Sequence, residues 1–371
     1  MMSGTKKIDK AMADAVATGV FPGGVLLWAS KSHILYHKAF GVTDIRFGMP
    51  VTLDTNFDLA SLTKPLATAL AVADLISSGR LAENTLLKDV LPAACGTDKA
   101  QITMDMLLRH RSGLPAHRPY FQSLPGPVPG MAARKRMRQL ILAEPLEYAP
   151  GSREVYSDLG FILLAWVVEI LSGLRLDAFV HNKIFAPLNI YDLFFNPMGS
   201  DVPGPLKNKK SLVFAATSHC PWREKMIIEE VEDENAWAVG GIEGHAGLFG
   251  TAAGVHRLCC QILYALENKA GNVIDPLVIR NFADRQHGTV RPAGFDSPSK
   301  KNASSGHFFS KRSVGHLGFT GTSFWIDPDN GLIAILLTNR VHPSRENVEI
   351  RKFRPRIHDL IVPVYTANIQ V

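Results

Sequence analysis

Asp58-Leu59-Ala60-Ser61-Leu62-Thr63-Lys64-Pro65 is the stretch on which the reading turns. If Ser61 opens a helix, Ser61 and Lys64 lie three residues apart on one face, with Cβ atoms about 5–6 Å apart. A serine hydroxyl is a weak nucleophile at neutral pH and needs an adjacent base. A lysine serves as that base only when its pKa falls, and partial burial and the positive end of a helix both push it down. The Ser61 N–H would point into the same site and donate to a developing oxyanion. Pro65 is tolerated because the first helical turn has no partner for its N–H. Alone, Ser-x-x-Lys is common, and an N-cap serine followed by a solvated lysine is its more frequent meaning.

Two distant stretches bear on that choice. Tyr156-Ser157-Asp158 stands at the mouth of a helical pattern that starts at Leu159. A tyrosine near Lys64 can take the Ser61 proton and pass it to a leaving group; without that context, Ser157 or Asp158 is a helix N-cap and Tyr156 packs. Gly315-His316-Leu317-Gly318-Phe319-Thr320-Gly321-Thr322 leads into a strand. Its glycines permit close approach of backbone to a ligand, and an edge strand can offer an N–H opposite the helix terminus. The Phe319 N–H is the candidate second oxyanion donor, beside Gly318, and His316 a polar group facing the acyl-enzyme. A bend in a sheet with a satisfied histidine is the plainer alternative.

Together, Ser61-Leu62-Thr63-Lys64, Tyr156-Ser157-Asp158 and His316-Leu317-Gly318 resemble the Ser-x-x-Lys, Tyr-x-Asn and Lys-Thr-Gly elements of the penicillin-recognising superfamily, which joins serine β-lactamases of class C, DD-peptidases, penicillin-binding proteins and related esterases. Phe57-Asp58-Leu59-Ala60, Arg111-Ser112-Gly113-Leu114-Pro115, Tyr148-Ala149-Pro150-Gly151-Ser152, Gly244-His245-Ala246-Gly247-Leu248-Phe249 and Thr322-Ser323-Phe324-Trp325-Ile326-Asp327-Pro328 are similar to phrases of the same family. The likeness runs from about Phe21 to Asn339. It implies Ser61 as nucleophile, Lys64 and Tyr156 sharing general-base and general-acid work, and no metal or organic cofactor.

Two departures bear on substrate. Asp158 replaces the asparagine of the family pattern, which removes an amide donor for a substrate side chain, and an ionised Asp158 would raise the Lys64 pKa. His316 replaces a permanently charged lysine and weakens recognition of a substrate carboxylate at neutral pH. Both point to an esterase or a D-amino-acid peptidase-like enzyme, acting on a small-molecule acyl substrate, with weak or no β-lactamase activity. A true class C-type β-lactamase and a non-catalytic penicillin-binding or sensor module are the alternatives. His245 is a candidate cleft residue or a packing histidine in a glycine turn. Trp237 and Gly240-Gly241 are candidate pocket walls. A metallohydrolase built on His110, His117 and His245 lacks HExxH or similar ligand spacing.

The surrounding chain predicts where these elements sit. Of 371 residues, 46% are hydrophobic and 20% charged, an ordinary globular balance. A helix is expected from Lys7 to Ala17, then a hairpin of Gly24–Ala29 and Ile34–Phe40 around Ser30-Lys31-Ser32-His33. Helical patterns cover Leu66–Ser78, Thr103–His110, Met131–Ala143, Leu159–Ser172 and Ala253–Glu267, divided by loops at Leu124–Gly130 and Asp201–Pro205. Strands return at Gly318–Ile326 and Leu332–Thr338 around the turn Pro328-Asp329-Asn330-Gly331, and Val348–Tyr365 can include a helix. The fold class is therefore α/β (α+β), of the β-lactamase/transpeptidase-like kind that the resemblance implies. One catalytic domain spans 1–371, with an antiparallel sheet flanked by helices from about 1–58 and 250–371 and a mainly helical subdomain at about 59–249.

The net charge of +6 collects in part at Arg134, Lys135, Arg136 and Arg138 and at Arg351, Lys352, Arg354 and Arg356. No aromatic residues interleave there as stacking recognition requires, so solvated faces are expected and nucleic acid is not a partner. Cys95, Cys220, Cys259 and Cys260 show no paired metal-ligand spacing and suit free thiols in a reducing compartment. No signal peptide or membrane span is read, so a cytoplasmic protein, monomeric by default, is expected, or a periplasmic one if a leader was removed.

Overall fold

The computed structural model describes residues 2–31, 33–124, 129–199, 212–269, 273–285, 291–299 and 303–369. Its centre is an antiparallel sheet drawn from both ends of the sequence. The strands are β1 (Gly23–Ala29), β2 (Ile34–Asp44), β3 (Met49–Pro50), β4 (Val314–Leu317), β5 (Ser323–Asp327) and β6 (Leu332–Thr338), in the order β3-β2-β1-β6-β5-β4. β1 and β6 join the two halves, with Val25 opposite Leu337 and Leu27 opposite Ile335.

Successive side chains on a strand point to opposite faces. Val25, Leu27, Ile333, Ile335 and Leu337 enter the larger core shared with the helical region. Leu26, Trp28, Leu332, Ala334 and Leu336 enter a second core. With both faces covered, β1 and β6 are apolar along almost their whole length instead of alternating.

The principal helices are α1 (Met2–Ala17), α2 (Leu70–Ser77), α3 (Met131–Ala143), α4 (Asp158–Ser172), α5 (Ala252–Leu266) and α6 (Ile350–Ile369). α1 and α6 pack together beside the second core, and α5 lies against β1 and β6 on the other face. α4 is buried for most of its length. Ser157 caps it, accepting the Gly160 N–H at 3.4 Å, and Gly173, with φ of 72°, ends it in the left-handed conformation that glycine adopts without a Cβ clash. A small sheet of Phe57–Asp58, Leu248–Gly250 and Leu193–Phe195 ties the approach to Ser61 into the helical region. We propose residues 1–58 with 250–371, and 59–249, as the two subdomains, meeting along this small sheet.

Four expectations need correction. The run Gly318–Ile326 is not one strand: residues 318–322 form a tight turn between β4 and β5, closed by the Gly318 N–H to Thr322 O at 2.7 Å, with Gly321 at φ of 110°. Only Met104–Leu108 of the expected Thr103–His110 helix is helical; Thr103 is its N-cap, and His110 turns left-handed at φ of 58°. The helix expected from Leu66 begins earlier, with a π-helical turn over Lys64–Ala69 that runs into α2. The basic clusters are not wholly solvated, because Arg134 and Arg354 are buried. Ser32 and the loop Asp201–Pro205 lie outside the described residues, as does part of Leu124–Gly130.

Candidate active site

Ser61 lies in a 3₁₀ turn, Ala60–Leu62, entered through Ala60 at φ of 49°. A left-handed backbone costs a residue with a Cβ about 1–2 kcal/mol. Neighbours hold it there: Asp58 Oδ1 accepts the Ala60 N–H at 2.8 Å, and the Thr63 hydroxyl donates to Ala60 O at 2.6 Å. The chain then runs into the π-helical turn that starts at Lys64, and the three-residue spacing brings the Lys64 side chain beside Ser61.

Lys64 is fully buried, and its ammonium group sits among several oxygens. Nζ lies 3.0 Å from Ser61 Oγ, 2.7 Å from Asp158 Oδ1 and 3.3 Å from His245 O. Burial works against the charge, but the Asp158 carboxylate and Tyr156 outweigh it, and the Lys64 pKa is raised. Of the two opposed effects expected from the sequence, burial and an ionised Asp158, the carboxylate prevails. Burial also opposes the charge on Asp158, yet Lys64, His117 and His245 hold its carboxyl well below the usual range. His117 Nδ1 is 3.4 Å from Asp158 Oδ2 on the solvent side.

The Tyr156 hydroxyl bonds with both Lys64 and Ser61, and its pKa is raised, chiefly by burial. The ring rests on His110, centroids 4.5 Å apart. His110 clamps the neighbouring backbone: Nδ1 accepts the Ser157 N–H at 3.0 Å, and its carbonyl accepts the Val155 N–H at 2.9 Å. Burial, Arg291 and Lys64 push the His110 pKa down, so it is neutral. The Arg291 guanidinium lies 5.3 Å from the Tyr156 ring centroid and is held by Glu154 at 3.2 Å and by Asp296.

His316 is buried on β4, its ring 6.0 Å from that of Tyr156, and its pKa is pushed down to about 4, first by burial. It is neutral at pH 7. The 318–322 turn beside it is fastened to the chain entering Ser61, because the Thr320 hydroxyl donates to Asp58 O at 2.7 Å and the Thr322 hydroxyl to Leu59 O at 3.1 Å. Arg340 donates to Phe319 O, and Arg354 to Gly318 O and Thr322 O. His245 Nε2 pairs with Asp233 Oδ1 at 3.0 Å.

The eight candidate catalytic, oxyanion and substrate-binding residues converge here. A cleft of about 580 Å³ is lined by Ser61, Tyr156, Asp158, His245, His316, Gly318 and Phe319, with Lys64 buried behind Ser61. Trp237 does not join them; it lines a separate depression with Trp222. Sequence reasoning missed Arg291, Arg340 and Arg354, which no local spacing marks, and His110 as the support of Tyr156. His110 directly precedes the Arg111–Pro115 phrase and was within reach. Among the described residues, no group of three or more His, Cys, Asp or Glu side chains is placed to hold a metal ion. No single described helix is long and apolar enough to cross a membrane.

The family model described as Beta-lactamase matches residues 8–355. A protein of Salmonella schwarzengrund (strain CVM19633), named "Putative D-alanyl-D-alanine carboxypeptidase", is 29% identical over 93% of this chain and 84% of its own length. Among solved structures, simvastatin synthase (LovD) from Aspergillus terreus superposes with a TM-score of 0.72 at 17% identity, covering 100% of both chains. EstCE1, described as a hydrolase with promiscuous acyltransferase activity, gives a TM-score of 0.70 at 21% identity, covering 95% of this chain and 99% of its own. At such identities the two structures speak for the fold; the family rests on the match along nearly the whole sequence. The chain belongs to the Beta-lactamase family and is a serine hydrolase.

Proposed function

We propose that this hydrolase works through an acyl-enzyme on Ser61 and takes small esters or D-amino-acid amides in preference to β-lactams. The observation that carries the reading is the Ser61–Lys64–Asp158 chain, 3.0 and 2.7 Å in its two links, opening on the cleft.

Lys64 rests as an ammonium, so acylation proceeds from the form in which Lys64 has given its proton to solvent, while Asp158, a weak base here, stays ionised and opposes that loss. The neutral amine then takes the proton of Ser61, and Oγ attacks the substrate carbonyl carbon. The N–H groups of Ser61 and Phe319 receive the oxyanion; in other hydrolases the loss of one such donor costs about 3 kcal/mol. As the carbonyl-to-leaving-group bond breaks, the Tyr156 hydroxyl protonates the leaving group and Lys64 returns a proton to Tyr156. Water then attacks the acyl carbon and gives up a proton by the same route, releasing the acid and restoring Ser61.

The substrate preference rests on two side chains. Asp158 supplies a carboxylate where an amide donor would grip a β-lactam side chain, and neutral His316 offers no fixed charge to a substrate carboxylate. The carboxypeptidase name of the Salmonella relative supports D-amino-acid amides as the peptidic option. A panel of p-nitrophenyl esters, D-alanyl amides and nitrocefin, run beside Ser61→Ala and followed by mass mapping of a fluorophosphonate adduct, tests this. Turnover of short esters or D-alanyl amides with negligible nitrocefin hydrolysis is expected, with the adduct on Ser61. Nitrocefin as the best substrate, or an adduct elsewhere, overturns it.

A further inference from the structure

Two guanidinium groups grip the turn that carries the Phe319 N–H. Arg340, just beyond β6, donates from Nε to Phe319 O at 2.8 Å. Arg354, in the first turns of α6, donates to Gly318 O at 3.0 Å and to Thr322 O at 2.9 Å. The Gly318 carbonyl and the Phe319 N–H belong to one peptide unit. A cation on that oxygen draws electron density along the amide and makes the N–H a stronger donor, as in any chain of hydrogen bonds in a low-dielectric interior.

Arg354 is an unusual choice for a mere clamp. It is buried, and among the described residues no carboxylate forms an ion pair with it. Its Nε has no hydrogen-bond partner there either. Burial, with Arg340 and Arg351 nearby, pushes its pKa down to about 9, which still leaves it cationic at neutral pH. An uncompensated buried charge costs several kcal/mol. Two carbonyls could be satisfied by a neutral amide, so holding the turn does not by itself explain a cation at this position.

We propose that Arg354 is a positioning residue for the reaction: bonded to the Gly318 carbonyl, it polarises the 318–319 peptide and strengthens the Phe319 N–H toward the substrate oxyanion. This rests on the acyl-enzyme reading above. Arg340 holds the next peptide and fixes the direction in which that N–H points.

The test is infrared spectroscopy of the acyl-enzyme formed from a p-nitrophenyl ester with a ¹³C carbonyl, in wild type, Arg354→Gln and Arg354→Lys. A more polarising oxyanion hole lowers the acyl carbonyl stretch. In Arg354→Gln the stretch should move to higher frequency, and kcat should fall about tenfold with KM little changed, a fraction of the loss expected for removing a whole donor. Arg354→Lys keeps the charge and should recover part of both. An acylated Ser61 whose carbonyl frequency is the same in all three proteins overturns the role of Arg354 and leaves the hydrolase reading standing. Failure of wild-type Ser61 to form any adduct overturns both. If Arg354→Gln does not fold, the lysine variant decides: one ammonium spans the two carbonyls less well, so an unshifted stretch and unchanged kcat again refute the proposal.

Discussion

Lys64 Nζ stands closer to Asp158 Oδ1, at 2.7 Å, than to the Ser61 hydroxyl, at 3.0 Å. The amine is therefore committed first to a carboxylate and only second to the nucleophile. On the mechanism proposed above, Lys64 must give its proton to solvent before Ser61 can be activated, and Asp158 resists that loss.

Replacing that carboxylate should move the pH profile. In wild type, kcat/KM on a p-nitrophenyl ester should climb toward alkaline pH, because Asp158 keeps Lys64 protonated. In Asp158→Asn, burial acts on Lys64 without that opposition. The acidic limb should shift to lower pH by at least about one unit, the smallest effect expected of a charge at this distance. An unshifted limb would show that Asp158 does not set the lysine's charge.

Ser61→Ala and Lys64→Met should separate chemistry from stability. Each should lower kcat/KM at least about a thousandfold, as loss of a nucleophile or its base does elsewhere. Calorimetry should find Ser61→Ala close to wild type. Lys64→Met strands the Asp158 carboxylate in a largely buried place and should cost about 3 kcal/mol near neutral pH. That deficit should narrow below about pH 4, the ordinary aspartate pKa, because only the wild type then loses stability as its unfolded carboxyl takes up a proton. Equal melting temperatures for the two variants at pH 7 would contradict the buried ion pair.

His117 should contribute a stability term with the opposite pH sense. Its pKa is raised, first by its hydrogen bond to Asp158, so the folded state favours the imidazolium. The contribution should be present below about pH 6.5, the ordinary histidine value, and fade as the pH rises through the raised one. The melting-temperature gap between wild type and His117→Gln should therefore be wider at pH 5.5 than at pH 9. A gap that grows with pH would refute the contact. Half-exposure keeps the effect small.

Gly318→Ala tests the turn by sterics alone. A Cβ there would lie 2.0 Å from Thr322 Oγ1 and 2.7 Å from Leu59 O. The threonine must give way, and its bond to Leu59 O breaks. Kinetics on a p-nitrophenyl ester should show about a hundredfold loss in kcat, the scale of a displaced oxyanion donor, and calorimetry a stability loss of about 1–3 kcal/mol. Unchanged kcat would separate this turn from the chemistry.

The sequence was most readable where chemistry has fixed spacing. Ser61 and Lys64 are one turn apart, and the tyrosine and glycine elements recur in family order, so the cleft could be assembled from strings of letters. β1 and β6 were legible as apolar runs between turn residues. The strand expected at 318–326 begins only at Ser323, because Phe319 and Thr320 carry β propensity while the bend is set by Gly321 and by hydroxyl bonds to residues some 260 positions earlier. Arg134 and Arg354 sit in basic clusters that look solvated, and only tertiary packing shows them buried. Both opposed influences on Lys64 were legible, but not their balance, since that depends on how closely a carboxylate 94 positions away approaches the buried amine.

Thr320 and Thr322 bolt the turn that carries Phe319, the proposed second oxyanion donor, to the backbone that delivers Ser61, the proposed first, though the two lie far apart in the sequence. The gap between those donors is thus set before any substrate arrives. An enzyme made this way has little to gain from closing around its ligand. Selectivity must come from how well a rigid mould accepts each acyl shape, and poor substrates should bind and react slowly instead of being shut out.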